Sequence, residues 1–199
     1  MPPAWIRILA VAALSIAALV GLVVHEGMAR DAGTEVVMPM QPVDPQSLLS
    51  GHYVVISLQA PLAPGQACPP GAETGILPNF DASMRKPRWV ALAVGAGRHA
   101  QVAGVADTQA QARRFAPLTA PGDAYCVASV PDAQGFVATW LGVDRFHLEQ
   151  GEAQRVADAM SPTSDHPAPV AAILSVGGDG RARVKGVIIG AQRIAPNWY

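Results

Sequence analysis

Between Ile8 and Val24 the chain carries no charged side chain, and with Arg7 as the single interruption the apolar run reaches back to Trp5. A membrane-spanning helix needs about 20 mostly apolar residues. Residues 5–24 meet that length. A helix buried in a soluble domain would keep one polar stripe, whereas this segment is apolar on every face. Two destinations remain. A secretory signal has an apolar centre of about 7–15 residues and ends at a small-x-small cleavage site. Gly27-Met28-Ala29 offers such a site, but the run before it is longer than a signal requires. The expectation is an uncleaved anchor in residues 1–30, followed by a domain in residues 31–199. Arg7 and the amino terminus precede the span, and His25, Glu26, Arg30 and Asp31 come after it without net positive charge. The positive-inside rule therefore places the N-terminus in the cytoplasm and exports the rest.

Residues 31–199 have the size of one domain. Charged residues make up 15% of the chain, against about 25% in ordinary soluble proteins. From Asp31 onward there are twelve basic and fourteen acidic residues, leaving −2. No basic stripe interleaves with aromatics, which argues against a nucleic-acid partner. Cys68 and Cys126 stand alone, outside any C-x-x-C pair or metal-ligand spacing. In an oxidising compartment they could form one disulfide; two buried free thiols fit the sequence equally.

The exported part reads as strands separated by turns. Thr34–Met40 is extended, with Pro39 at its end or edge. Asp44 before Pro45 is a helix-start signature, an acceptor at the cap and a proline at the first helical position, and predicts a short turn of helix closed by Gly51. Tyr53–Gln59 alternates with Val54, Ile56 and Leu58 on one side. Residues 60–87 form a long loop with six prolines. Arg88–Val94 is a strand that turns through Gly95–Arg98 into Gln101–Ala106. Thr108–Arg114 is a short helix or turn. Gly122-Asp123 opens the strand Ala124–Val130, and Phe136–Leu141 comes next. Gly151–Met160 has helical spacing at Val156, Ala159 and Met160. The last strands, Val170–Val176 and Arg181–Ile189, are joined by Gly177-Gly178-Asp179-Gly180. The fold class expected is mostly β, a barrel or sandwich of about seven strands with one or two short helices, beside one N-terminal transmembrane helix.

Pro42-Val43-Asp44-Pro45, then Leu48-Leu49, then Gly51-His52-Tyr53-Val54-Val55-Ile56-Ser57-Leu58 resembles the opening signature of the GDYXXLXY-domain family. Gly142–Gly151 is similar to a later strand of that family, and Gly178–Ala182 with Lys185-Gly186 to its last hairpin. The sequence departs at three motif positions, with His52 for Asp, Ile56 for Leu and Leu58 for Tyr, which makes it a divergent member. The resemblance implies a bacterial protein with an N-terminal membrane segment, hence a single-pass inner-membrane protein with its domain in the periplasm or another extracytoplasmic space. Genes of the family often sit beside those of multi-spanning membrane proteins, which implies an accessory subunit. Asp44, Pro45 and Gly51 are then structural. His52 and Tyr53 are scaffold or, alternatively, a ligand or partner face.

No set of residues reaches a catalytic claim. None of the five histidines pairs with another ligand at metal spacing. No metal or other cofactor is expected. His147 alternates with Arg145 and Glu149 as a solvated face. Ser50 adjoins His52, but there is no G-x-S-x-G elbow. Lys86 and Lys185 are the only lysines, and a Ser/Lys dyad would run through Lys185 with no motif behind it. Three functions are therefore weighed. The first is a non-enzymatic, membrane-tethered partner of an integral membrane protein. The second is a small-ligand binder or sensor with a groove of Tyr53, Trp89 and Trp140, and the third is a hydrolase.

Overall fold

Ala4–Ala32 forms one α-helix, α1, of 29 residues. The computed structural model describes residues 3–41, 53–74, 88–128, 130, 134–143, 145–161 and 168–195, with only the backbone at residues 53–55 and 145. Alanine and leucine are good helix formers, and no proline interrupts α1, so the helix propagates until Gly33 turns the chain into extended backbone (φ −73°, ψ 161°). Strand β1, Thr34–Pro39, starts at the next residue. Asp31-Ala32-Gly33 is therefore not the short linker its composition suggests. Asp31 and Ala32 are helical, and one residue joins helix to strand. Gly33 is required by close approach, since a Cβ there would lie 2.1 Å from Ser175 Oγ and 3.0 Å from the Val176 carbonyl.

β1 pairs antiparallel with β10 (Val170–Val176), which pairs with β11 (Ala182–Ile189) and through it with β12 (Gln192–Ile194). A second sheet runs in the order β3 (Leu58–Pro61), β8 (Phe136–Trp140), β7 (Leu118–Val127), β5 (Arg88–Val94), β6 (Ala100–Ala106). The two-residue β4 (Glu73–Thr74) adds parallel to β7. A separate ribbon joins β2 (Tyr53–Val55) to β9 (Arg145–His147). Bridges from Val37 to His99 and from Met40 to Leu58 tie the first sheet to the second. The sheets stay open and stack, so the architecture is sandwich-like and not a closed barrel. Twelve strands occur among the described residues. The excess over the sequence expectation comes chiefly from pieces of two or three residues, too short to show alternation.

The core lies between the sheets. Val36 and Met38 of β1, Val90 and Leu92 of β5, Leu174 of β10 and Val187 of β11 are all almost wholly buried. Strand β7 begins earlier than Gly122-Asp123 suggested and passes through Pro121 and Gly122. It can do so because it changes partner: residues 118–122 pair with β5, and residues 123–127 with β8. The proline sits where β7 has β5 on one side only, the edge situation a strand proline tolerates.

Helices α2 (Gln109–Ala112) and α3 (Gln150–Met160) complete the described fold. Thr108 caps α2 by accepting from the Gln111 N–H. Cys68 and Cys126 are joined in a disulfide, with Cα atoms 5.8 Å apart. Thr74 of β4 lies opposite Cys126, so the crosslink and the β4–β7 pairing pin the proline-rich segment to the same strand.

Candidate functional site

The residues proposed from sequence fall into four groups. Asp44, Pro45, Gly51 and His52 lie outside the described residues, as does the short helix expected after Pro45. Ile56 and Leu58, which replace the motif's Leu and last Tyr, are both buried in the core. They lie at and just after the interruption at Ile56-Ser57 that splits the expected single strand into β2 and β3. Trp89 and Trp140 are half-buried. Their cross-strand partners are Pro121 and Asp123, two residues apart on β7, so both indoles share the face opposite Ala124 and Cys126. Tyr53 is on the separate ribbon, opposite His147.

Among the described residues the most developed polar structure lies at the joint between α1 and the domain, around Arg183 and Glu26, which no sequence motif singles out. Arg183 of β11 is 9% exposed and bonds two carboxylates. Its Nε and Nη2 donate to Glu26 of α1, and its Nη2 and Nη1 donate to Asp179 at 2.8 and 3.2 Å. Asp179 also accepts the Arg181 backbone N–H at 3.0 Å. The Arg183 hydrogen bond, reinforced by that N–H, holds the Asp179 carboxyl down at about 2. The same contacts, first with Asp179 and then with Glu26, push the Arg183 guanidinium above its ordinary value.

Beside this clamp, Glu35 of β1 gathers three cations. Arg193 donates to both of its oxygens at 3.2 Å, Arg98 donates at 2.7 Å, and Lys185 Nζ lies 3.5 Å away. The Arg193 hydrogen bonds lead in holding the Glu35 carboxyl below the usual range, against the opposing effect of burial. Lys185 also faces Asp31 at 4.0 Å, so the lysine considered for a Ser/Lys dyad is engaged with carboxylates. A signal for this joint was present. Arg181, Arg183 and Lys185 alternate at strand spacing, and Glu26, Asp31 and Glu35 flank Gly33. Nothing local says that the first segment meets the last.

Next to the joint is a cleft of about 330 Å³ between the end of α1, α2, the start of β7 and the β10–β11 turn. Its walls include Ala32, Gln109, Arg113, Thr119, Gly178 and Gly180. Gln109 Nε2 donates to Thr119 Oγ1 at 3.3 Å. The Trp89 ring backs the turn, where a Cβ on Gly180 would come within 3.0 Å of it. Among the described residues no group of three His, Cys, Asp or Glu side chains is placed to hold a metal ion.

A family model described as "GDYXXLXY protein" matches residues 15–187, from the middle of α1 to β11. No curated protein and no solved structure matches the chain.

Proposed function

The chain belongs to the GDYXXLXY family, and from that premise we propose that it is a membrane-tethered, non-enzymatic envelope protein whose domain accompanies and stabilises an integral membrane partner. In this reading α1 crosses a bacterial inner membrane once through residues 5–24, uncleaved, and residues 31–199 face the periplasm or another extracytoplasmic space. The observation that carries it is the contrast along α1. No residue of the helix is buried by the protein's own domain, and it is long and apolar enough to cross a membrane by length and composition. Its last turns are nevertheless bonded to the domain through Glu26 and Arg183. A helix presented this way exposes its side to lipid or to another helix while holding the domain at a set position. The Cys68–Cys126 bond supports an oxidising compartment.

Solubilisation in mild detergent followed by co-purification tests this reading. A stoichiometric multi-spanning partner supports it. A monomer that retains a small molecule would favour the ligand binder built around Tyr53, Trp89 and Trp140. Intact mass decides the anchor, because a mature N-terminus at or near Arg30 would make the apolar segment a removed signal.

A further inference from the structure

We propose that the cleft between α1, α2 and the β10–β11 turn binds the phosphate of an anionic membrane lipid. The inference rests on α1 spanning the bilayer, because depth is its first support. At 1.5 Å per residue, Glu26 lies roughly 3 Å beyond Val24 and Ala32 roughly 12 Å beyond it. A headgroup layer is about 5–8 Å deep on each side of the hydrocarbon. Asp179 shares the Arg183 guanidinium with Glu26 while Gly33 packs on Val176, so the Gly177–Gly180 turn lies between those two levels, at the outer edge of the headgroup layer. The cleft runs from that turn to Ala32.

Its chemistry suits a phosphate. Arg113 lines the cleft, is exposed, and has no carboxylate partner among the described residues. The Gly178 N–H makes no hydrogen bond to the described protein, and the space where its Cβ would stand is open. A guanidinium and an unbonded backbone N–H in the lining of one polar cleft are donors of the kind that recognise phosphate. The nearest carboxylate, Asp179, is already bonded to Arg183. Among the described residues no carboxylate lines the cleft to receive a choline or ethanolamine cation. That favours an anionic headgroup over a zwitterionic one.

The test uses the full chain extracted from membranes, with native mass spectrometry of lipid retention in mixed phosphatidylglycerol and phosphatidylcholine micelles. Arg113→Ala removes the cation, and Gly178→Asp places a carboxylate in open space without disturbing packing. Arg155→Ala, on α3 and away from the cleft walls, is the control. Expected is preferential retention of phosphatidylglycerol by the parent and the control, reduced about tenfold in both cleft variants, the size of one lost charge-assisted hydrogen bond. Equal retention in all four proteins overturns the site. Saturable binding of inorganic phosphate that Arg113→Ala abolishes, with no lipid preference, overturns the lipid as its source. Carbonate extraction of the same membranes separates the premise from the inference: a chain released by carbonate fails the anchor, whereas a retained chain with equal lipid retention fails only the cleft.

Discussion

Leu14 and Leu174 are the same residue in opposite circumstances. Leu14, in α1, is 72% exposed, and Leu174, in β10, is 0% exposed. The difference comes from where each backbone finds its hydrogen bonds. A helix satisfies its own N–H and C=O groups, so α1 can stand without neighbours and present apolar side chains all round. A strand must borrow its partners. β10 takes them from β1 on one side and β11 on the other, and at this central place in the sheet Ala172, Ile173, Leu174, Ser175 and Val176 are all buried. Hydrophobicity alone therefore does not say where a residue ends up. Backbone self-sufficiency does, and the domain and the helix should respond to different insults.

The largest expected separation comes from the disulfide. Cys68 and Cys126 are 58 residues apart. Closing a loop of that size stabilises a folded chain by about 4 kcal/mol in the chain-entropy model. The double Cys68→Ser, Cys126→Ser variant should lose an amount of that order in urea unfolding of the domain. Its retention in carbonate-washed membranes should not change. Leu174→Ala should cost the domain about 3 kcal/mol through lost burial and a residual cavity, while Leu14→Ala should leave the domain's unfolding midpoint within about 0.5 kcal/mol of the parent. Equal effects of the two leucine variants would sink the comparison.

The joint tests whether the two regions are mechanically one. Gly33→Val should destabilise by roughly 1–3 kcal/mol, because the added side chain meets the Ser175 hydroxyl and the Val176 backbone with no room to move. Acid gives the smallest effect and the sharpest sign. The Asp179 carboxyl is held at about 2, below its ordinary 3.8. A depressed carboxyl contributes stability that is complete above its unfolded value and fades as the pH falls through the folded one. Between pH 3.8 and about 2 the β10–β11 turn should therefore loosen from Arg183, read as faster amide exchange at Asp179–Arg183. Arg183→Met should remove the larger part of that pH dependence and leave the part that the Arg181 N–H supplies.

Much of the domain was legible wherever a segment's own pattern decides its structure. Arg88–Val94 has the same bounds as β5, and the glycine-rich 177–180 turn does join two strands. Helix α3 begins one residue before its expected start. The start of β7 was not legible, because Pro121-Gly122 argues locally for a turn and only the change of partner from β5 to β8 explains its strand. β12 and β4 were missed for want of length. The joint and the cleft were the least legible, since Glu26 meets Arg183 across 157 residues and the cleft's walls come from four separate stretches. Charge spacing marked the individual members but not their meeting.

With α1 across a bilayer, as proposed, the single glycine between α1 and β1 would also set how the protein feels its surroundings. A flexible tether would let a domain keep its attitude however the helix leans. Here the clamp on Glu26 and the close pass at Gly33 make helix and sheet one lever. A spanning helix longer than the local hydrocarbon thickness answers by tilting. On the proposed reading, a thinner bilayer would make α1 lean further from the normal, and the domain would lean with it, rocking the β10–β11 turn toward or away from the lipid surface.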